Sequence, residues 1–286
     1  MADSDLENKV ESSDGESIIR VKDLKKRFGN NVVLDGVDLS IEKGKTTVVI
    51  GPSGCGKTVL IKNFIVLLRP SSGEVWFKDR RIDNLPEHEL NRVRMHYGFL
   101  FQEGALFDSL SVAGNVMFPI LQHYKVTDRD KVDDLVRTKL RMVGLDGYQK
   151  YYPAKLSGGQ RKRVALARAI AMNPEVILYD EPTTGLDPIR ADIINELILK
   201  LQRELGETTI VVTHDMKSAY KIADRIVMLH KGKIIADGDA DYIRNHSSEV
   251  VQQFINGRVG EDDLAVLKQS SSVAEVEFQP QDVEEE

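Results

Sequence analysis

The stretch Lys45–Thr58, KTTVVIGPSGCGKT, decides the fold, because a β-branched run leads straight into a glycine-rich loop. The spacing G-x-x-x-x-G-K-[ST], which is typical of phosphate-binding loops, is matched at Gly51, Gly56, Lys57 and Thr58. In such a loop the glycines let backbone N–H groups curl around phosphate oxygens, and the following helix adds the partial positive charge of its N-terminus. The sequence therefore predicts a nucleotide site built from a strand, a loop and a helix.

Every residue of this loop is expected to contribute to nucleotide binding. The loop consists of Gly51, Pro52, Ser53, Gly54, Cys55, Gly56, Lys57 and Thr58. Lys57 is expected to reach the β- and γ-phosphates, and Thr58 is expected to bind Mg²⁺. Cys55 receives no catalytic role, although a thiol at a helix N-terminus can have a lowered pKa. We expect alkylation of this thiol to block ATP binding by its bulk.

The segment Val176–Glu181, VILYDE, supplies the second half of the predicted site. A buried strand places Asp180 at its carboxyl end, beside the phosphate loop, where its carboxylate can hold Mg²⁺ directly or through water. Glu181 follows and is the right residue type to polarise an attacking water molecule. The pair therefore predicts hydrolysis of the bound nucleotide.

Strand and helix patterns alternate along the chain. Strands are predicted at 17–23, 34–41, 45–50, 74–77, 175–179, 208–213 and 225–229, and helices at 57–68, 128–143, 158–172 and 189–204. Alternation of this kind predicts an α/β fold with a mainly parallel sheet covered on both faces. Residues 103–172 contain no convincing strand and are interpreted as a helical insert.

Composition limits the class of protein. A chain of 286 residues, 41% of them hydrophobic, is long enough for one or two domains with a full core. Its single cysteine excludes an internal disulfide and suits a reducing cytoplasm. No apolar run is long enough to span a membrane, and the start of the chain does not look like a secretory signal.

The negative net charge of the chain, −6, is concentrated at its two ends. Residues 1–17 hold six acids against one lysine, and residues 271–286 hold six acids and no base. These ends are expected to be disordered. The rest of the chain is mildly positive, which suits an anionic ligand. No stripe of basic and aromatic residues indicates nucleic acid.

A second glycine-rich turn, Leu156–Gln160 (LSGGQ), stands at the head of another predicted helix. By itself, Ser157 could be no more than a helix N-cap. The turn nevertheless repeats the physical features of the first site, with a serine hydroxyl, bare backbone N–H groups and the positive end of a helix. With the two glycine turns and the Asp-Glu pair in this order, the chain resembles ATPase subunits of ABC transporters over about residues 18–240.

The resemblance implies a P-loop NTPase (RecA-like) core with an N-terminal antiparallel β subdomain and an inserted α-helical subdomain. It also implies a head-to-tail dimer around two ATP molecules. In such a dimer the turn of one copy closes on the γ-phosphate held by the other copy. The residues of that turn are Ser157, Gly158, Gly159 and Gln160.

Four further positions match motifs of the family. Phe28 matches the aromatic residue that stacks on adenine, and Gln102 matches the glutamine that senses Mg²⁺ and the membrane partner. Asp187 lies in the loop that links the two copies, and His214 matches the histidine that contacts the γ-phosphate. The implied catalytic set is Glu181, His214, Gln102 and Lys57, and the implied Mg²⁺ ligands are Thr58, Gln102 and Asp180.

Three segments, Phe101–Ile120, Tyr179–Ile189 and Val250–Gly257, resemble the Mla and Mce-associated ATPases, which power phospholipid transport in bacteria. The resemblance implies a subunit that energises phospholipid transport across the cell envelope through a separate membrane permease. It implies a peripheral position on the cytoplasmic face of the inner membrane. A second copy, an Mce-domain protein and a small STAS-domain protein are the implied further partners, and no nucleic acid is expected.

The chain is predicted to divide into an acidic tail, an ATPase domain, a helical extension and a second acidic tail. These segments cover residues 1–17, 18–245 (with the insert at about 103–172), 246–270 and 271–286. Apolar residues recur at helical spacing after Asp239, at Ile243, Val250, Val251, Phe254 and Ile255. They fit either a helix packed on its own core or a docking face for a second copy or a regulatory protein.

Three rival functions have to be weighed. An ABC ATPase of DNA repair or translation is disfavoured, because those types carry a long coiled-coil insert or two cassettes. An importer of amino acids or another small solute would share every catalytic residue and stays open. A nucleotide sensor without catalysis is disfavoured by the intact set Lys57, Asp180, Glu181 and His214.

Overall fold

The computed structural model describes residues 16–125 and 128–258, in which strands and helices alternate. The strands are β1 (Ser17–Phe28), β2 (Asn31–Glu42), β3 (Thr46–Ile50), β4 (Ser72–Phe77), β5 (Arg80–Arg81), β6 (Tyr97–Leu100), β7 (Val176–Asp180), β8 (Thr208–Val212), β9 (Arg225–His230) and β10 (Lys233–Gly238). The helices are α1 (Lys57–Phe64), α2 (Glu87–Arg94), α3 (Val112–His123), α4 (Arg129–Met142), α5 (Gly158–Ala169), α6 (Pro188–Leu205), α7 (Met216–Ile222), α8 (Ala240–Arg244) and α9 (Glu249–Ile255).

The larger sheet has six strands in the order β10-β9-β3-β8-β7-β6. All neighbours are parallel except β10, which runs antiparallel to β9. Strand β3 lies between β8 and β9, so that Val48 is paired with Val211 on one side and with Ile226 on the other. Because these strands are parallel, the carboxyl ends of β3, β7 and β8 meet at one edge of the sheet.

Both faces of this sheet are buried, as the alternation of strands and helices predicts. Val48 and Ile50 point into a core that α3, α4, α5 and α6 help to form, whereas Val49 points into a second core shared with β1, β2 and α1. Successive side chains of a strand point to opposite faces, which explains why one five-residue strand serves two cores.

The smaller sheet is antiparallel, with the order β2-β1-β4-β5, and it covers one side of the larger sheet. Its first two strands form a long hairpin in which Phe28 pairs with Asn31. The hairpin places its tip next to the phosphate loop, since the carbonyl oxygen of Val33 would lie 3.0 Å from a Cβ atom added at Gly56. The N-terminal antiparallel subdomain implied by the resemblance is confirmed.

Between Phe101 and Met172, the described residues contain three α-helices, α3 to α5, one short 3₁₀ helix at Pro153–Lys155, and no strand. The helices predicted at 128–143 and 158–172 correspond to α4 and α5. Helix α3 was not predicted, and it carries Pro119 in its interior. Strands β6 and β10 were also missed, although each occupies an edge of the larger sheet.

One predicted helix end differs from the structure. The helix predicted to run from Lys57 to about Leu68 ends at Phe64 instead, and this part of the prediction was wrong. The chain leaves the helix through Val66, whose φ of 51° is left-handed, and the N–H groups of Leu67 and Leu68 both donate to the carbonyl oxygen of Lys62. Pro70 therefore follows a turn that has already ended the helix.

After Asp239 the chain forms α8 and α9, which pack against the core that contains α6. Ile243 and Val251 are fully buried, and Val250 is exposed. The interpretation as helices packed on their own core therefore holds for residues 240–255. The predicted tails 1–17 and 271–286 lie outside the described residues, apart from Glu16 and Ser17, and so does the extension after 258. None of the described helices combines the length and apolarity required to cross a bilayer.

Candidate active site

The phosphate loop connects β3 to α1 and depends on glycine at two positions. Gly56 caps α1 with a φ of 109°, a conformation that L side chains rarely adopt. A Cβ atom at Gly51 would lie 2.1 Å from the carbonyl oxygen of Leu229 in β9, which is far inside van der Waals contact. The loop can therefore take this path against the sheet only with glycine at both places.

Lys57 places a positive charge inside this loop. Its side chain is 6% exposed, and Nζ donates to the carbonyl oxygens of Gly51 (2.8 Å) and Pro52 (3.0 Å). The same nitrogen lies 3.9 Å from Oε1 of Glu181. A buried ammonium group held by carbonyl oxygens and facing a carboxylate is suited to binding an anion such as a phosphate.

Thr58 and Asp180 join α1 to the end of β7. The Thr58 hydroxyl donates to Oδ1 of Asp180 over 2.8 Å. Burial raises the pKa of the Asp180 carboxyl above its ordinary value, while the hydrogen bond from Thr58 and the charge of Lys62 oppose this shift. A hydroxyl and a buried carboxylate at this distance are a donor set that suits Mg²⁺, which usually takes one or two protein oxygens and completes its shell with phosphate and water.

Glu181 is the first residue after β7, and its side chain is held by one residue of the same turn and one residue that follows β8. Its Oε2 atom accepts from the Thr184 hydroxyl over 3.1 Å and lies 2.9 Å from Nδ1 of His214. Its backbone is left-handed, with a φ of 50°, and its N–H donates to the carbonyl oxygen of Val212 in β8. The carboxylate is therefore fixed at the sheet edge by a conformation that non-glycine residues rarely adopt.

The loop carrying His214 is tied to α6 by a chain of hydrogen bonds. Asp215 caps α7 and accepts from the Ser218 hydroxyl over 2.5 Å, and that hydroxyl accepts from Nδ2 of Asn195 over 2.8 Å. Asn195 and Ser218 are both buried. The position of the histidine thus depends on a helix that is capped by Asp187.

The predicted residues enclose a cavity of about 400 Å³ at the carboxyl edge of the larger sheet. It is lined by Val33, Ser53, Gly54, Gly56, Lys57, Thr58, Val59, Gln102, Glu181 and His214. The structure therefore brings together the phosphate loop, the glutamine, the glutamate and the histidine that were predicted from separate parts of the sequence. Asp180 lies behind Thr58.

Two predicted nucleotide-binding residues, Cys55 and Phe28, are not among the side chains that line the cavity. Cys55 packs against Gly51, and burial raises the pKa of its thiol, although the charge of Lys57 opposes this shift. The general tendency of a helix N-terminus to lower a thiol pKa is outweighed here by desolvation. Phe28 lies at the hairpin tip with 46% of its surface exposed and is not among the side chains that line the cavity.

The second glycine turn and Asp187 lie apart from the cavity. Ser157 and Gln160 form a capping box at the start of α5, with Gln160 N donating to the serine oxygen (3.3 Å) and Ser157 N donating to Oε1 (2.9 Å). Among the described residues that line the cavity, none belongs to this turn. Gly158 and Gly159 face the segment after β7 instead, because added Cβ atoms would lie 3.8 Å from Leu186 and 3.7 Å from Arg190.

Sequence reasoning missed two residues that hold the site. Thr184 donates to the Glu181 carboxylate, and its spacing of three residues from a turn carboxylate was the available signal. Lys162 is a buried lysine of α5 whose ammonium group donates to the carbonyl oxygens of Gln102 and Glu181. No local pattern distinguishes it from an exposed lysine in a basic helix.

Comparison with known proteins agrees with this geometry. Residues 34–184 match the family model described as ABC transporter. The chain is 41% identical over 242 residues to the intermembrane phospholipid transport system ATP-binding protein MlaF of Haemophilus influenzae, covering 85% of this chain and 91% of that protein. It is 38% identical over 258 residues to the probable ribonucleotide transport ATP-binding protein mkl of Mycobacterium leprae, covering 90% of this chain and 74% of that protein.

Solved structures give the same result. The dimeric ATP-binding cassette MJ0796, determined in a post-hydrolysis state with ADP and phosphate, matches with a TM-score of 0.72 and 33% identity, over 77% of this chain and 98% of that one. The cbiO1 protein of Clostridium perfringens, part of an ABC transporter complex, matches with a TM-score of 0.74 and 29% identity, over 89% and 99% of the two chains. This chain therefore belongs to the ABC transporter family and is one of its ATP-binding, ATP-hydrolysing cassettes.

Proposed function

We propose that this chain energises phospholipid transport across the bacterial cell envelope through a separate membrane permease. The observation that carries the proposal is the 41% identity to a phospholipid transport ATPase over 91% of that protein. The mycobacterial relative, named for ribonucleotide transport, matches less of its own length. An importer of amino acids or another small solute has less support, because the relative that is named for a solute is covered over 74% of its length, against 91% for the phospholipid transport ATPase.

ATP is the proposed substrate of the cavity, with Lys57 and the N–H groups of the Gly51–Thr58 loop holding its phosphates. Thr58, Asp180 and Gln102 are the proposed ligands of Mg²⁺, which when bound would neutralise charge on the phosphates. The proposal needs no larger ligand cluster, and the described residues offer no group of three or more His, Cys, Asp or Glu able to hold a metal. The exposed ring of Phe28 is the proposed stacking surface for adenine.

Glu181 is the proposed base that polarises the attacking water at its carboxylate. Thr184 and His214 each contact Oε2, which leaves Oε1 on the side of Lys57. If Nδ1 of His214 donates to this carboxylate, its Nε2 atom remains to contact the γ-phosphate. Negative charge that develops during hydrolysis would be stabilised by Lys57 and by donors from a second copy.

That second copy supplies the residues that the cavity lacks. Ser157, Gly158, Gly159 and Gln160 head a helix whose N–H groups suit an anion, yet they do not face the phosphate loop of their own chain. In a head-to-tail dimer the turn of each chain closes the site of the other, with Asp187 at the junction. The dimeric state of the MJ0796 cassette supports this arrangement.

An apolar groove of about 440 Å³ is the proposed contact for the permease. It is lined by Tyr97, Gly98, Phe99, Phe101, Ala105, Phe107, Phe118, Pro119, Arg168, Ala169 and Met172. The groove contains part of the Phe101–Ile120 segment, on which the resemblance to phospholipid transport ATPases partly rests. An exposed apolar surface of this kind suits a helix or loop of a partner protein.

The chain would lie peripherally on the cytoplasmic face of the inner membrane, with an Mce-domain protein and a small STAS-domain protein as further partners and no nucleic acid. Residues 18–245 would form the ATPase domain, with the insert at about 103–172 and a helical extension after it.

Affinity purification of the full chain from membranes tests this proposal. We expect a multi-span permease, an Mce-domain protein and bound phospholipid, identified by mass spectrometry, to co-purify. Phe107→Asp in the groove is expected to abolish co-purification and keep ATP binding, whereas Tyr242→Asp, another exposed aromatic residue outside the groove, is the matched control. A co-purifying solute-binding protein without phospholipid would overturn the lipid assignment in favour of small-solute import.

A further inference from the structure

Lys162 is a buried cation whose position does not allow it to touch the substrate. It lies in the middle of α5, is 7% exposed, and is not among the residues that line the cavity. Burial lowers the pKa of its ammonium group, and the negative charge of Glu181 opposes this shift. A buried charge is unfavourable unless hydrogen bonds or an opposite charge compensate for its lost hydration, so the partners of Lys162 decide how it is tolerated.

The two acceptors of Lys162 belong to separate loops that both face the cavity. Nζ donates to the carbonyl oxygen of Gln102 over 3.0 Å and to that of Glu181 over 3.2 Å. Gln102 follows β6, and Glu181 follows β7, so a single side chain spans the ends of two adjacent strands. Each bond is charge-assisted, which makes it stronger than a bond between neutral groups.

The Glu181 turn has particular need of such a donor. Its left-handed backbone is strained for a residue with a side chain, and a strained turn persists only where its surroundings hold it. The N–H of Glu181 is held by Val212, and its carbonyl oxygen accepts from Lys162 and from the N–H of Thr184. Without the ammonium group, the N–H of Thr184, which lies in the same turn, would be the remaining donor to this carbonyl oxygen.

The Gln102 loop is bound to α5 at a second point. Arg168, two turns further along this helix, donates to the carbonyl oxygens of Gly104 and Ala105, both over 2.7 Å. Helix α5 is capped by Ser157. The turn proposed to act on the partner copy, the Gln102 loop and the Glu181 turn therefore all connect to one rigid element.

We propose that Lys162 is a positioning residue of ATP hydrolysis, which joins α5 to the Gln102 loop and to the Glu181 turn so that the three move as one unit. The inference rests on the proposed role of Glu181. Because Lys162 contacts neither substrate nor phosphate loop, it acts on the position of the base. A displacement of about 1 Å at a reacting group can cost about 100-fold in rate.

The test compares Lys162→Met with Lys139→Met in the full chain. Lys139 is an equally buried lysine on α4 that donates to Asn173 and lies outside the cavity lining, so it controls for loss of a buried charge. We expect Lys162→Met to lower kcat about 10- to 100-fold and to leave KM and the affinity for a fluorescent ATP analogue within about threefold. Lys139→Met should keep kcat within about threefold of the parent.

Two further readouts separate positioning from general destabilisation. Hydrogen exchange should accelerate at amides 102–105 and 183–186 in Lys162→Met and stay unchanged there in Lys139→Met. Lys162→Arg, which keeps the charge and two donors, should recover most of the lost turnover. The inference would be overturned if Lys162→Met kept the parent kcat, or if Lys162→Met and Lys139→Met lost the same share of kcat. It would also be overturned if Lys162→Arg had a kcat as low as that of Lys162→Met.

Glu181→Gln, assayed in parallel, separates a failure of the positioning role of Lys162 from a failure of the proposed role of Glu181 as the base. If Glu181→Gln is inactive while Lys162→Met is fully active, the positioning role fails and the proposed base stands. If Glu181→Gln turns over at the parent rate, the proposed base itself is wrong.

Discussion

Two glycine-rich turns at the heads of helices, Gly51–Thr58 and Leu156–Gln160, share their local chemistry but differ in what faces them. The first opens into a cavity that also holds Gln102, Glu181 and His214. The second bonds to itself through its capping box and faces α6 rather than a cavity. A helix N-terminus can bind an anion in both cases, and tertiary structure decides which of the two finds its ligand in the same chain.

The most severe test of this difference is Glu181→Gln, which removes the proposed base from the first site. We expect kcat to fall by at least about 100-fold, because a positioned base contributes about 10²- to 10⁴-fold in rate. ATP binding should persist, and light scattering with ATP should detect a trapped dimer. Glu175→Gln, which changes a partly exposed carboxylate paired with Lys78, is the control. Turnover at the parent rate would show that the role of Glu181 is misassigned.

Lys57→Ala tests the first turn as the place where phosphate binds. Loss of a buried charge-assisted donor should weaken ATP binding about 10- to 100-fold in a titration with a fluorescent ATP analogue. Lys22→Ala on β1, where the lysine is exposed, should leave the affinity unchanged. Equal affinities for the parent and Lys57→Ala would mean that nucleotide binds elsewhere.

Ser157→Ala tests whether the second turn acts on another copy. We expect kcat to fall about tenfold while ATP affinity at low protein concentration stays unchanged. The matched control is Ser111→Ala, because that serine caps α3 through the same kind of bond, and each loss should cost about 1 kcal/mol of stability.

Mixing the two defective proteins sharpens the result. A head-to-tail dimer of Lys57→Ala with Ser157→Ala contains one site with both defects and one intact site. Activity of the mixture should therefore exceed that of either variant alone. If mixing restores nothing, or if a strictly monomeric Ser157→Ala protein hydrolyses ATP at full rate, the composite site is refuted.

The smallest expected effect concerns stability at a place outside both turns. Glu207 is 2% exposed, no other described residue donates a hydrogen bond to its carboxylate, and burial raises its pKa, against the influence of its own N–H and of Lys139. Because the folded pKa lies above the unfolded value, ionisation destabilises the fold as pH rises through this range. Glu207→Gln should therefore raise the free energy of unfolding, measured in urea, by about 1 kcal/mol at pH 7.5. The gain should be much smaller at pH 4.5. A loss of stability at pH 7.5 would contradict the prediction.

The sequence predicted those parts of the site that local patterns encode. The phosphate loop and the Asp180-Glu181 pair each follow a β-branched or apolar run, and parallel pairing carries the two to one edge of the sheet. Lys162 and Asn195 could not be assigned roles, since their partners are contributed by other segments. Thr184 was missed although its partner, Glu181, lies only three residues before it. The raised pKa of the Cys55 thiol could not be derived from local sequence either, because burial depends on the whole fold.

Short length, mixed polarity and an internal proline explain why β6, β10 and α3 were not predicted. Strand β6 has only four residues, and β10 mixes polar and apolar residues, so neither shows a clear period. Helix α3 contains a proline, which sequence reasoning treats as a helix breaker.

The place of β3 between β8 and β9 has a consequence for biosynthesis. Both neighbours of this strand are encoded far downstream, so that a nascent chain released only as far as α6 would carry the phosphate loop on a strand with no partner in the larger sheet. Non-local parallel pairing of this kind is slow and exposes unpaired edges until it is complete. The ribosome must therefore deliver residues up to His230 before β3 acquires both of its neighbours, and until then the emerging polypeptide is at its most vulnerable to aggregation.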